Sequence, residues 1–318
     1  MSYSIDPAAK AVETSGLTRT YGSLIALHDL DLIVNRGDLF GFIGSNGAGK
    51  TTTLRILSTF LIPSSGNAKV LGYDVLKQPD AVRHSIGYMP DFFGVYRDMV
   101  VCEYLDFFGA CYQIKSSERE QTVKDVLELV GLSDKKNELI GALSRGMQQR
   151  LGLARVLIHD PELLLLDEPA SGLDPRARVE MMEILQELQR MGKTIIISSH
   201  ILSELQALCN RVAIIEKGVL KYSGAIEGVG EGVATKRIIK VKCGNDPKQY
   251  LSLFQELTLI SNPIIEKQRV QFSLLNDDSD PALILKSLIQ SGVPVTDFHQ
   301  EELSLEDVFM SYTSGETQ

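Results

Sequence analysis

The run Gly44-Ser45-Asn46-Gly47-Ala48-Gly49-Lys50-Thr51-Thr52 constrains this chain more than any other stretch. It matches G-x-x-x-x-G-K-[ST] in full, and its flanks supply the context that the pattern needs. "DLFGFI" before it reads as a short apolar strand; "KTTTLRILSTFL" after it reads as a helix, with Leu54, Leu57 and Leu61 at helical spacing. A strand that turns through glycines into a helix makes an anion cradle. Gly44, Gly47 and Gly49 let the backbone curl until its N–H groups converge on phosphate oxygens. The helix start adds the positive end of its dipole. Lys50 is expected to reach the β- and γ-phosphates and Thr51 to offer its hydroxyl to Mg²⁺, with Ser45, Asn46, Ala48 and Thr52 completing the wall.

A chain with this loop is expected to be α/β, and the remaining pattern agrees. "ELLLLDEP" and "TIIISSH" are continuous apolar runs of the kind buried on both faces of a parallel sheet. "PRARVEMMEILQELQRMGK" between them starts with proline and ends near glycine, as helices do. Ahead of the loop, apolar positions from Ala11 to Val34 alternate in short β-like runs, which predicts an antiparallel flank. From Met99 to about Gln148 the pattern turns helical, and "RVAIIEKGVLKYSG" reads as a hairpin around Lys217-Gly218. "GVGEGVA" at 228–234 is a Gly-rich linker. The spacing predicts a nucleotide-binding domain over 1–232, with a helical insert at about 99–148. A small α+β domain is predicted over 233–318, built on "KRIIKVKC", "RVQFSLL", "PVTDFHQ" and a helix at "ALILKSLIQSG".

Asp167 and Glu168 stand side by side at the end of the "LLLLDEP" run. There Asp167 can hold Mg²⁺, and Glu168 can take a proton from the attacking water. No N-K-x-D guanine reader occurs in the sequence, which turns the choice of nucleotide from GTP to ATP.

With these in place the sequence resembles the nucleotide-binding subunits of ATP-binding-cassette transporters over roughly Ala11 to Gly224. "LSRGMQQR" (Leu143–Arg150) resembles the family signature, "SGLD" (Ser171–Asp174) the D-loop, His200 the switch histidine, and Tyr21 the aromatic that stacks on adenine. The resemblance implies head-to-tail pairing with a second cassette, a homodimer in the simplest case. Ser144 and Gly146 would then touch the γ-phosphate held by the partner's loop, with Asp174 in the shared site. It also implies catalytic roles for Glu168, His200 and Lys50, and metal ligation by Thr51, Asp167 and Asp91. Asp91 stands where most members carry glutamine, and Arg145 and Met147 depart from the usual L-S-G-G-Q. The aromatics Phe92, Phe93 and Tyr96 beyond Asp91 are either a local plug or a docking surface for a membrane permease. "LSLEDVFMSYTSG" near the C-terminus resembles the tail of cassettes that serve drug-resistance and sodium-efflux exporters. The implied function is ATP hydrolysis that powers export through a separate permease. The competing reading is an ABC-type ATPase without a permease, acting in translation or DNA repair.

Composition bears on partners. Net charge is −9 over 318 residues, which argues against nucleic acid. Cys102, Cys111, Cys209 and Cys243 are scattered, with neither metal-site nor disulfide spacing. "MSYSIDPAAKAVETSG" lacks the apolar core of a signal peptide, and no run approaches the ~20 apolar residues of a membrane span. The expected location is cytoplasmic, peripheral on the inner face of the cell membrane.

Overall fold

The computed structural model describes residues 9–91, 94, 96–226, 238–255, 257, 260–266, 268–274 and 280–301. The chain divides into two compact units, Met1–Val229 and Gly230–Gln318. The linker-like 228–234, the aromatics Phe92 and Phe93 with the neighbouring Val95, and the exporter-like tail at 303–315 lie outside the described residues.

The first unit begins with β1 (Lys10–Tyr21), β2 (Leu24–Leu30), β3 (Ile33–Asn35), β4 (Leu39–Ile43), α1 (Lys50–Leu57), β5 (Ser65–Val70) and β6 (Tyr73–Asp74). It continues with α2 (Pro79–Ser85), β7 (Ile86–Met89), α3 (Val101–Cys111), α4 (Ser116–Leu129), α5 (Arg145–Leu157), β8 (Leu163–Asp167) and α6 (Pro175–Arg190). It closes with β9 (Thr194–Ser199), α7 (Leu202–Leu208), β10 (Arg211–Glu216) and β11 (Val219–Ala225). Two sheets form. One is antiparallel, in the order β2-β1-β5-β6 with β3 on β1. The other runs β11-β10-β4-β9-β8-β7, parallel throughout except for the β10–β11 hairpin.

The apolar runs follow from where those strands lie. Every residue of β4, β8 and β9 is buried, so neither face of the central sheet meets water. Phe40, Phe42, Leu163, Leu165, Ile196 and Ile215 share one core with Leu17, Leu30 and Val34 of the antiparallel flank and with Leu54 and Leu57 of α1. Each such side chain contributes about 1.5–3 kcal/mol on burial. The opposite face meets helices. At Gly41 a Cβ would lie 3.2 Å from Cys209 Sγ and 3.4 Å from Leu205 Cδ1, so the missing side chain is what lets α7 approach.

Helix ends are marked by the expected residues. Asp174 accepts from Ala177 N at 3.0 Å to cap α6, with Pro175 next. Ser144 caps α5 by accepting from Met147 N. Gly131, at φ 64, follows the end of α4. One boundary differs from the sequence expectation: α1 ends at Leu57, so Leu61 lies beyond it.

The second unit is a four-stranded antiparallel sheet, β13-β14-β12-β15, with strands β12 (Ile238–Cys243), β13 (Ile260–Glu266), β14 (Arg269–Leu274) and β15 (Val295–Glu301). Helices α8 (Leu251–Gln255) and α9 (Pro281–Gln290) supply Phe254, Ile284 and Leu288 to a core with Val241, Val270 and Phe272. Among the described residues no helix is long and apolar enough to cross a membrane.

Candidate active site

Three neighbouring parallel strands end side by side, and each releases a functional segment. β4 leads into the Gly44–Gly49 loop, β8 ends on Asp167, and β9 ends one residue before His200. The loop geometry demands its glycines. Gly47 and Gly49 have φ of 83 and 113. A Cβ on Gly44 would lie 2.6 Å from Ile215 O, and one on Gly49 would lie 2.8 Å from Ala26 O.

A cavity of about 410 Å³ opens here, with Ser45, Asn46, Gly47, Gly49, Lys50, Thr51 and Thr52 on one side and Asp91, Asp167, Glu168, Ser171 and His200 on the other. Residues expected from five separate stretches of sequence thus meet in one space. Lys50 is buried and donates to Gly44 O at 2.6 Å, and its Nζ lies 3.7 Å from Glu168 Oε1. Burial lowers its pKa, while the charges of Glu168 and Asp167 work in the opposite direction.

Ser198, one residue from the end of β9, organises both carboxylates. Its hydroxyl donates to Asp167 Oδ1 at 2.6 Å and accepts from Glu168 N at 3.0 Å. The second Asp167 oxygen, Oδ2, is buried and lacks a hydrogen-bond partner. Glu168 has φ 47, a left-handed conformation costing on the order of 1–3 kcal/mol in a residue with a side chain. The bonds of its amide to Ser198 hold it there, and the turn brings its Oε2 to 2.8 Å from His200 Nδ1. Sequence reasoning passed over Ser198; the available signal was a pair of hydroxyl residues inside the apolar run "TIIISSH".

The cavity fits a magnesium-bound nucleotide. Mg²⁺ is held in such sites by one or two carboxylates together with phosphate oxygens. Asp167, with one oxygen unengaged, and the Thr51 hydroxyl line the same cavity. Among the described residues no cluster of three or more His, Cys, Asp or Glu side chains is set to hold a metal alone, so the phosphates would have to complete the shell.

Several expected residues stand elsewhere. Tyr21 does not line the cavity; it ends β1, and the Arg19 guanidinium lies 4.6 Å above its ring. Ser144 and Gly146 are at the start of α5, outside this cavity. Asp174 has its carboxylate on its own helix as a cap. Arg145 neither enters the cavity nor extends freely into solvent. It donates to Ser171 O at 3.4 Å and lies so close over Gly172 that a Cβ there would be 2.4 Å from its guanidinium.

Comparison with known proteins gives the same picture. The family model "ABC transporter" matches residues 27–171, and "ATP-binding protein DrrA1-3-like, C-terminal domain" matches residues 224–313. The Nod factor export ATP-binding protein I of Rhizobium sp. (strain N33) is 34% identical over 96% of this chain and 98% of its own length. The bacitracin transport ATP-binding protein BcrA of Bacillus licheniformis is 33% identical over the same shares, 96% and 98%. Among solved structures, an ATP-binding subunit of an ABC transporter superposes with a TM-score of 0.63 at 27% identity, covering 69% of this chain and 92% of that one.

Proposed function

The chain belongs to the ABC transporter family, as one of its ATP-binding subunits, and from that premise we propose that it hydrolyses ATP to drive export through a separate membrane permease. The observation that carries the proposal is the meeting of Lys50, Asp167, Glu168 and His200 on one cavity at the edge of the parallel sheet. Export is the direction favoured by relatives that match nearly end to end, one of them named for Nod factor export, and by the DrrA-like match of the second unit.

In this mechanism the Gly44–Thr52 cradle holds the phosphates and Lys50 neutralises their charge. When bound, Mg²⁺ would supply further neutralisation of the phosphates; Thr51, Asp167 and Asp91 are the residues that would hold it. Asp91 keeps an oxygen ligand where most of the family has an amide. Glu168 accepts the proton of the attacking water. His200, with Nδ1–H given to Glu168, fixes that carboxylate and presents its other ring nitrogen to the γ-phosphate side. Ser144 and Gly146 stand apart from their own chain's cavity, so a second cassette is needed to use them. Head-to-tail pairing sets the α5 N-terminus, with its positive dipole end, against the partner's phosphates.

The permease is proposed to dock in a groove of about 750 Å³ beside the cavity, lined in part by Arg55, Phe60, Arg83, Phe108, Tyr112 and Arg155. Phe60 of the groove is 72% exposed, and Tyr96, outside the groove lining, is 58% exposed, which favours docking over a plug. Among the described residues no acidic side chain lines the groove, which suits an apolar helix that carries a carboxylate. Pro90 and Gly94 of the groove flank Asp91 of the cavity, so a permease seated here bears directly on the metal side of the nucleotide. Changing Phe60 of the groove to Ser should leave the isolated subunit folded and hydrolysing ATP, yet abolish copurification with the permease and transport in cells. Transport at the unaltered level with this variant would defeat the docking site. An absence of any membrane partner for the unaltered protein would favour the permease-free alternative.

A further inference from the structure

Two short segments meet around Glu168: the loop 171–174 that leads into α6, and His200, two residues ahead of α7. Behind them Arg178 of α6 faces Glu204 of α7, Nε to Oε1, at 2.8 Å, a contact of charges that lacks hydrogen-bond alignment. Arg178 also donates to the carbonyl of Leu173, within the loop, at 3.5 Å. The Glu204 side chain is only 11% exposed, and it lines a small cavity together with Glu168, Ser171, Ser199 and His200. Burial raises its pKa, while the charge of Arg178 and then that of His200 work the other way. A carboxylate this far from water is costly without its cation, so the pair resists separation. An exposed ion pair would carry no such constraint.

The chain of contacts is continuous. Leu173 O accepts from Arg178, Arg178 pairs with Glu204, and Glu204 sits within electrostatic reach of His200, whose Nδ1 is on Glu168. His200 itself is half exposed, and among the described residues Glu168 is the carboxylate that its ring touches. A ring half open to solvent depends on its backbone for its placement, and α7 follows that backbone directly.

We infer that Arg178 and Glu204 are positioning residues for hydrolysis: their ion pair locks the 171–174 loop and the His200 segment into one arrangement, and so keeps His200 on Glu168. The inference rests on the role proposed above for His200. Neither residue touches the nucleotide cavity, so the pair acts on turnover and not on ATP affinity.

The test uses the full chain with Mg²⁺ and ATP, and records kcat, KM and melting temperature. The variants are Glu204→Gln, Arg178→Gln, the two combined, and Glu204→Gln in a His200→Ala background. Displacement of a catalytic group by even 1 Å is costly, so each single change should lower kcat about tenfold and leave KM within about twofold. The combined variant should be no slower than the worse single one, because one ion pair is lost once. Without His200, Glu204→Gln should cost nothing further. Should Glu204→Gln fail to fold, Glu204→Asp, which keeps the charge but withdraws it by one methylene, takes its place. A lowered melting temperature with unaltered kcat would make the pair structural only and overturn the inference. So would costs that multiply in the combined variant, or a tenfold loss that persists without His200. A slow His200→Ala beside a fast Glu204→Gln defeats this inference alone. An unaltered rate in His200→Ala defeats the role of His200 and the inference with it.

Discussion

Glu168 shows how much a single residue is asked to do. It occupies a left-handed backbone position, pairs with Lys50 on one oxygen and His200 on the other, and is proposed as the base. Replacing it with Gln keeps the shape and removes the proton acceptor. Turnover should fall by about 10²–10⁴-fold while ATP affinity is kept; an unchanged hydrolysis rate would rule Glu168 out. The carboxylate was legible in the sequence because it follows an apolar run next to Asp167. Its backbone conformation was not, since nothing local marks a glutamate for positive φ. That conformation is imposed by Ser198, thirty positions away and visible only once β8 and β9 lie side by side. The same holds for Arg178 and Glu204, which share no local pattern and meet only through the fold.

Elements whose signal is periodic and long were readable, and those set by tertiary contact were not. β4, β8, β9, α6 and α9 announce themselves through apolar runs or helical spacing with caps. β7 is four residues with a glycine inside, and its reason is packing: a Cβ on Gly87 would lie 2.7 Å from Val156 O. β13 contains Pro263, which a central strand would exclude; it forms because it is an edge strand with a register irregularity between Ser261 and Ile264. A close approach of the same kind joins α5 to α6, where a Cβ on Gly146 would lie 2.7 Å from Ala177 Cβ. Gly146→Ala should therefore destabilise by about 1–3 kcal/mol, in the range of overpacking changes. At ~2–4 °C per kcal/mol that is several degrees of melting temperature. Adding Ala177→Gly should recover part of the loss; if the double variant melts below Gly146→Ala, the contact between the two helices is not the cause.

At the scale of the whole molecule, the proposed site belongs to two chains, and mixing tests that. Ser144→Arg spoils the signature and Lys50→Ala the phosphate loop, so each alone should be inactive. Mixed, they can form dimers with one intact composite site, and some ATPase activity should return. Demonstrable dimers with no recovered activity would defeat the head-to-tail arrangement or require both sites to act together. Within the first unit, the cradle, the carboxylate pair and His200 all hang from the ends of strands with no face toward water. Amide hydrogens deepest in such strands exchange with solvent only when the whole unit opens, so the slowest-exchanging backbone and the catalytic edge are one object. The distances between reacting groups are therefore held by global stability itself, and any substitution that loosens the site from beneath is also paid in protein surviving to act.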